Sequence, residues 1–247
     1  MVEATHKAPR TPARVWIAIV LVPAALVVLA ALGTWQVQRL IWKENLLAAI
    51  EQRSQAEPVG LPEIQSALAA SEPIEYRTAF AVGRFLNAGE QHFFATFNGQ
   101  SGFYVYTPLE LADGRFLFVN RGFVPYDLKE PATRPESLLE GEQRINGLAR
   151  EKLEQKPSMV VPDNDEQANI YYWKDLDLMA ARAGLPADKV LPFFLDADAT
   201  PVPGGLPRGG VTVIDLPNNH LQYAITWYGL ALALVAVSLF AWLRRKS

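Results

Sequence analysis

The sequence predicts an α+β membrane protein in which two transmembrane helices enclose an antiparallel, β-rich domain. Residues 15–35 and 223–243 each contain 21 residues without a charged side chain. At about 1.5 Å rise per residue, each stretch can cross the roughly 30 Å hydrocarbon core of a bilayer. Between them lie short aromatic and β-branched runs separated by turn sequences, a pattern typical of strands in a soluble domain.

The first apolar stretch has one alternative interpretation, a cleaved signal peptide, because basic residues precede it. Its 18 residues from 15 to 32 are longer than the usual apolar region of about 7–15 residues. Trp16 and Trp35 stand at its two ends, where interfacial aromatic residues are common. We therefore expect an uncleaved helix, in which lipid tolerates a kink at Pro23.

Basic residues at the ends of the two stretches predict the orientation in the membrane. Six lie on the terminal sides (Lys7, Arg10, Arg14, Arg244, Arg245 and Lys246) and three near the inner ends (Arg39, Lys43 and Arg208). The excess favours two cytoplasmic termini and an outer middle domain. We predict a cell inner membrane protein with a cytoplasmic tail (1–14), a first span (15–35), a periplasmic domain (36–222), a second span (223–243) and a cytoplasmic tail (244–247).

The elements between the spans follow from local patterns. The first helix should continue to about Arg53, and a short helix should cover 63–70. A second short helix, 176–183, has Asp175 before it and Gly184 after it as caps. Strands are predicted at 75–85, 91–97, 103–111, 115–124, 144–150, 169–173 and 190–195.

Two dipeptides in this region are typical of hairpin turns, Asn98-Gly99 and Asp113-Gly114. Residues 127–141 are polar and contain prolines, so we expect an exposed loop.

Composition and missing motifs exclude several functions. The net charge of −3 does not favour a nucleic-acid partner, and the absence of cysteine excludes disulfides and thiolate sites. No nucleotide-binding loop, nucleophile elbow or zinc-protease motif occurs. His6 is expected in the solvated tail, His92 at an exposed strand position, and the acidic run 163–166 in a solvated turn without the glycine of a calcium loop. We predict no catalytic residue and no enzyme activity.

His220 stands at the outer edge of the second apolar stretch. Tyr223, Ala224 and Trp227 follow it at +3, +4 and +7, on the same face of a helix. This face suits a flat apolar ligand, and imidazole is a common axial ligand of haem iron. The alternative is an interfacial aromatic belt with a polar cap. The residues alone leave both interpretations open.

The outer end of the first helix adds a second group of candidates. If the helices pair, Trp35 and Gln36 approach His220, and Gly33 permits close contact. Arg39 lies one turn further on, with Lys43 on the same face. It could extend to the lipid headgroups or pair with carboxylates such as haem propionates.

A third feature lies in the middle of the chain, where Arg121-Gly122 interrupts the apolar run 119–125. It predicts a bulge or a close backbone approach. The alternative is a structural corner with an exposed arginine.

Together, three motifs resemble the Surfeit locus protein 1 family, cytochrome c oxidase assembly factors with Shy1 as the yeast member. They are GTWQ (33–36) with Arg39 and Trp42-Lys43, VNRGFVP (119–125) and NNHLQYAITWY (218–228). The resemblance spans nearly the whole chain. One departure is Phe123, where the family commonly has tryptophan.

The resemblance implies a non-enzymatic assembly factor that binds haem a as transient cargo and assists its insertion into oxidase subunit I. It implies His220 as the metal ligand. From the two helix faces we predict Trp35, Gln36, Tyr223, Trp227 and Arg39 around the cofactor, with Arg39 paired to a propionate. The implied partners are subunit I, the haem a synthesis machinery and membrane lipid. Two rivals remain: a haem-independent protein that stabilises subunit I, and an enzyme that acts on haem.

Overall fold

The computed structural model describes residues 13–212, 214 and 217–246. The chain divides into two compact units. The helical unit comprises Met1–Ala48 and Asp215–Ser247, and the β unit comprises Ala49–Ile214. Residues 1–12, and with them His6 and most of the predicted cytoplasmic tail, lie outside the described residues.

Two long helices dominate the terminal segments. Helix α1 (Ala13–Ser54) continues without a break from the apolar stretch, past Pro23, to one residue beyond the predicted end. Helix α4 (His220–Lys246) begins at the histidine itself. Both are long and apolar enough to cross a membrane. Nearly all of their apolar stretch is exposed, which distinguishes them from the core helices of a soluble protein.

The β unit is built around a closed five-stranded barrel. Its elements are β1 (Val59–Gly60), α2 (Leu61–Ala69), β2 (Thr78–Phe85), β3 (Gln91–Phe97), β4 (Gln100–Leu111), β5 (Phe116–Pro125), β6 (Glu142–Glu151), β7 (Ile170–Tyr171), α3 (Leu176–Arg182) and β8 (Val190–Ala197). The barrel runs β2–β6–β8–β5–β4 and closes because the end of β4 pairs again with β2. The predicted fold class, two membrane helices flanking a β-rich domain, is confirmed.

Most strand pairs are antiparallel, as the hairpin sequences predict. Three pairs are parallel: β1 with β2, β3 with β7, and β5 with β8. Parallel pairs join segments far apart in the chain, so no local turn sequence announces them.

Strands β5 and β8 are buried on both faces, which explains their nearly continuous apolar sequences. Leu117 and Leu195 point into the core inside the barrel. Phe118 and Phe194 point the opposite way, into a second core covered by helix α3, where Met179 packs. The two-residue period of a strand therefore divides one apolar run between two cores.

The predicted turns and caps are present. Asn98 and Gly99 both have positive φ, at 50° and 78°, as a two-residue type I′ hairpin requires. Helix α3 is capped by Asp175, whose carboxylate accepts a hydrogen bond from Leu178 N at 3.0 Å. Gly184 follows the helix with a φ of 68°.

The Arg121-Gly122 step is a bulge, as one of the two interpretations predicted. The register of β4 against β5 passes from Val105–Gly122 to Tyr106–Asn120, so Arg121 has no partner in the ladder. Gly122 has a φ of 117°, and a Cβ there would lie 1.9 Å from the carbonyl oxygen of Arg208. The glycine therefore allows a passing segment to approach β5. The exposed-arginine alternative is wrong, because the Arg121 side chain is buried.

The segment after β5 is more ordered than the predicted exposed loop. Three short 3₁₀ turns cover Tyr126–Leu128, Pro131–Thr133 and Pro135–Ser137. Arg134 and Ser137 are buried. Polarity suggested exposure, but the buried residues here are polar ones that find partners inside the protein.

Candidate functional site

The candidate site lies in the helical unit, where helix α4 begins. His220 Nδ1 lies 2.7 Å from Gln36 Oε1 of helix α1. An amide oxygen only accepts hydrogen bonds, so Nδ1 carries the proton and donates it. The lone pair of the neutral ring is then on Nε2. This is the state in which histidine binds a metal, oriented through its other nitrogen by a neighbouring acceptor.

A close contact between the two helices accompanies this hydrogen bond. A Cβ on Gly33 would lie 2.9 Å from the ring of Tyr228, so only glycine leaves space for that ring. The next residue, Thr34, has its Oγ1 3.0 Å from the hydroxyl of Tyr228. Ala224 is buried at the same end of α4. Small residues and interhelical hydrogen bonds are the features that pair helices in lipid.

The predicted aromatic residues differ in exposure. Trp35 is 51% exposed and Tyr223 is 53% exposed, so both present ring surface to their surroundings. Trp227 is half-buried, and its Nε1 has no hydrogen-bond partner among the described residues. The helical unit therefore offers exposed aromatic surface on both helices. The helix that begins at His220 also carries a buried indole N–H without a hydrogen-bond partner among the described residues.

Arg39 is exposed, and its guanidinium group lies 4.3 Å from the centroid of the Trp42 ring. Within the described part of the chain it forms no ion pair with a carboxylate. Stacking on the indole holds the charge near the helix surface, where an incoming carboxylate could bind it.

Of the predicted site residues, the structure joins His220 and Gln36 directly. Trp35, Tyr223, Trp227 and Arg39 lie within two turns of these two residues along α1 and α4. The described residues contain no cluster of three or more histidine, aspartate or glutamate side chains that could hold a metal ion. A single imidazole suffices only for a metal whose other ligands come with it, as in haem.

The prediction for His92 is wrong, because this side chain is only 2% exposed. Its Nε2 lies 3.0 Å from Glu90, and its Nδ1 lies 3.3 Å from Asn169 Nδ2. Glu90 also binds Arg134, with Nη1 3.3 Å from Oε2. We call these four residues the buried network. It fastens the segment after β5 to strand β3.

Electrostatics in the buried network favour the ionised carboxylate. Burial alone would raise the pKa of Glu90, but hydrogen bonds from His92 and Arg134 outweigh it and hold the pKa below its usual range. Sequence reasoning missed this network because its members lie up to 79 residues apart. A glutamate immediately before a strand and an arginine between prolines carry no local signal of contact.

The acidic run 163–166 forms part of a turn, as expected. Asn164 Oδ1 accepts hydrogen bonds from the backbone of Tyr172 at 2.8 Å and Trp173 at 3.2 Å. Asp163 pairs with Lys156 at the surface. The run thus has a structural role.

The similarity of this chain to known proteins covers both the helical unit and the β unit. The SURF1 family model matches residues 24–232. Surfeit locus protein 1 of Homo sapiens is 39% identical over 220 residues, which is 82% of this chain and 70% of the human protein. The Rattus norvegicus protein of that name is 37% identical over 230 residues, which is 87% of this chain and 71% of the rat protein. A SURF1-like protein of Monosiga brevicollis is 37% identical over 234 residues, which is 89% of this chain and 85% of the Monosiga protein. The matched region contains both Gln36 and His220, and the chain belongs to the SURF1 family.

Proposed function

We propose that this protein is an assembly factor for aa3-type cytochrome c oxidase that binds haem a and assists its insertion into subunit I. The observation that carries the proposal is the hydrogen bond from His220 Nδ1 to Gln36 Oε1, which orients the ring and leaves Nε2 available to iron. The family resemblance names the cargo, and the chemistry of this site suits it.

The residues around His220 fit a haem. Trp35 and Tyr223 offer exposed aromatic surface to a flat apolar macrocycle. Trp227 is half-buried on the same helix as Tyr223 and would line the macrocycle with its ring. Arg39 would bind a propionate. When bound, haem a supplies its iron as the acceptor of the imidazole lone pair, and its long apolar tail suits lipid.

The proposed setting is the cell inner membrane. Helices α1 and α4 would cross it, both termini would be cytoplasmic, and the β unit would lie in the periplasm. The partners would be oxidase subunit I, which receives the haem, and the haem a synthesis machinery, which delivers it. Membrane lipid would cover the exposed apolar surface of both helices.

We propose no enzymatic step. A carrier needs to bind and release its cargo, and a single imidazole oriented by the Gln36 amide suits that role. An enzyme acting on haem would turn over haem o or haem a, which a turnover assay with either substrate would detect.

The decisive experiment is the absorbance spectrum of the protein purified from cells that make haem a. The wild type should show a haem a band, and His220→Ala should lose most of it while remaining folded and inserted. Asn219→Ala is the matched control, one residue away on another face, and should keep its spectrum. His220→Met would retain an axial ligand and raise the potential.

An unchanged spectrum in His220→Ala would remove this residue from the haem site. A wild-type protein without any haem band, still bound to subunit I on co-purification, would support the haem-independent alternative.

A further inference from the structure

Arg121 in the β unit is a buried cation, only 4% exposed, at the bulge of β5. Its Nη2 donates to the carbonyl oxygen of Ser137. Its guanidinium carbon lies 4.6 Å from the centroid of the Phe85 ring. Its Nη1 has no hydrogen-bond partner among the described residues. A buried guanidinium that lacks both a carboxylate of its own and one hydrogen-bond acceptor is unusual, since buried charges are normally paired.

The nearest negative charge is already shared. Glu90 is the carboxylate that acts on Arg121, and it binds Arg134 and His92 directly. His92 adds no negative charge to this group, because its ring nitrogens lie 3.0 Å from Glu90 and 3.3 Å from Asn169 Nδ2. Two guanidinium groups therefore face one carboxylate. These two arginines and one glutamate leave one positive charge in excess.

The protonation of Arg121 reflects this imbalance. Burial lowers its pKa to about 10, Glu90 partly offsets the burial, and Arg134 adds to it. The group is still charged at neutral pH, so the excess positive charge is real under physiological conditions.

Arg121 is one wall of a cavity of about 240 Å³ at the end of the barrel. The apolar wall of the cavity is formed by Phe85, Leu139, Ile145, Ala197, Pro201, Val202 and Pro203, and its uncharged polar lining by Gln143, Asn146 and Thr200. Arg144 lies at the mouth, exposed, with its guanidinium carbon 3.7 Å from the centroid of the Phe80 ring and no ion pair in the described part of the chain. The acidic residue at the rim, Asp198, accepts a hydrogen bond from Thr200 N.

We propose that this cavity binds a small organic acid. The carboxylate would bind Arg121, where a single negative charge balances the excess, and the hydrocarbon body would lie against the apolar walls. Arg144 at the mouth would attract the anion. The volume lies below the about 300–1,000 Å³ typical of sites for drug-sized ligands, so the acid is small. An inorganic phosphate fits poorly, because it has no apolar surface to match the walls.

This site is separate from the proposed haem site in its residues and in its chemistry. All of its residues belong to the β unit. It also gives a role to the Arg121-Gly122 motif that the haem proposal does not use. The bulge leaves Arg121 without a partner in the ladder, and this residue is among those that line the cavity.

The test uses the full-length protein in detergent with benzoate and hexanoate as probes, measured by isothermal titration calorimetry. Benzamide and hexanamide are neutral counterparts of the same shape, and inorganic phosphate is an anion without an apolar body. Both acids should bind at one site with dissociation constants of about 0.1–1 mM. The two amides should bind at least about tenfold more weakly, because a charge-assisted hydrogen bond is lost. Phosphate should give no saturable heat.

Variants separate binding at this cavity from binding elsewhere. Val202→Phe fills the cavity from a surface segment and should abolish binding of both acids, while Arg144→Gln should weaken it about threefold to tenfold. Arg84→Gln, an exposed arginine on β2 outside the cavity, is the matched control and should bind as the wild type does. Arg121→Gln changes the packing of a buried residue as well as its charge. A loss of acid binding in this variant is therefore interpreted together with the result for Val202→Phe.

Three results would overturn the proposal. They are no saturable binding of either acid up to about 10 mM, equal affinity for acids and amides, and unchanged affinity in Val202→Phe.

Discussion

His220 Nδ1 and Gln36 Oε1 lie 2.7 Å apart although 184 positions separate the two residues in the chain. The contact joins the first residue of helix α4 to the middle of helix α1. It sets which ring nitrogen holds the proton and therefore which one can bind iron. In the proposed haem site, Gln36 is therefore a positioning residue.

Replacing Gln36 should weaken haem binding without removing the ligand. In Gln36→Leu the ring loses its acceptor, and outer-shell changes of this kind reduce affinity about 10–100-fold. Gln36→Glu keeps an acceptor and should retain haem, with a lower potential because the carboxylate makes the imidazole a stronger donor. The measurement is haem per protein and the midpoint potential. Gln38→Leu, an exposed glutamine two residues on, is the control. Wild-type haem content and potential in Gln36→Leu would remove Gln36 from this role.

Both the charge and the planar shape of the Arg39 guanidinium group should contribute to haem binding. If it binds a propionate, Arg39→Ala should lower haem affinity about tenfold, and Arg39→Lys should recover only part of it because lysine cannot form two parallel hydrogen bonds. Haem titration of the three proteins measures this. Equal haem content in all of them would return Arg39 to a role at the lipid interface.

Gly33 should be required for helix pairing. In Gly33→Val the new side chain meets the Tyr228 ring, where even a Cβ would lie at 2.9 Å. Overpacking of this kind destabilises by about 1–3 kcal/mol. Unfolding in mixed detergent and SDS micelles, followed by circular dichroism, gives the free energy. The control is Gly229→Val, since a Cβ at Gly229 has no atom within 4 Å. Equal destabilisation of both variants would contradict the close contact seen at Gly33.

The buried network should make stability depend on pH in the acidic range. The folded-state pKa of Glu90 is held below its ordinary value of 4.5 by His92 and Arg134 against the opposing effect of burial. An acid with a lowered folded-state pKa stabilises fully above its unfolded-state pKa, and that stabilisation is lost as pH falls through the folded-state pKa. Urea unfolding should therefore show a free energy that declines below about pH 4.5.

Glu90→Gln should be less stable at pH 7 by about 3–5 kcal/mol, because Arg134 is left buried without its partner. Its stability should also fall less steeply with acid than that of the wild type. Glu72→Gln, an exposed residue, should follow the wild-type curve. An identical acid slope in Glu90→Gln and the wild type would mean that another group titrates.

The membrane orientation can be tested with reporter fusions. A reporter active only in the periplasm should work when fused after residue 130, and one active only in the cytoplasm should work after residue 247. The reason is the excess of basic residues on the terminal sides of the two apolar stretches. Reversed activities would place the His220 end of α4 on the cytoplasmic side and contradict the proposed topology.

Local patterns in the sequence determined most of the elements. Uninterrupted apolar stretches predicted the two long helices, and the Asn98-Gly99 turn and the Asp175 cap lie where they were expected. These features depend on neighbours within a few residues, through backbone conformation and helix or strand periodicity. The approach of Gln36 to His220 was also predicted for the case that the two helices pair, because each residue lies at the end of its apolar stretch nearer the middle domain.

Tertiary structure alone decided which polar residues are buried. His92 stands between Gln91 and Phe93 in a strand and was expected at the surface, yet it lies inside with Glu90 and Arg134. Arg121 could have been a solvent-exposed corner, but its side chain is buried against the Phe85 ring and the carbonyl oxygen of Ser137. A buried charge is stable only if distant partners surround it. Those partners come from barrel closure and parallel pairing, which join segments far apart in the chain and leave no trace in local sequence.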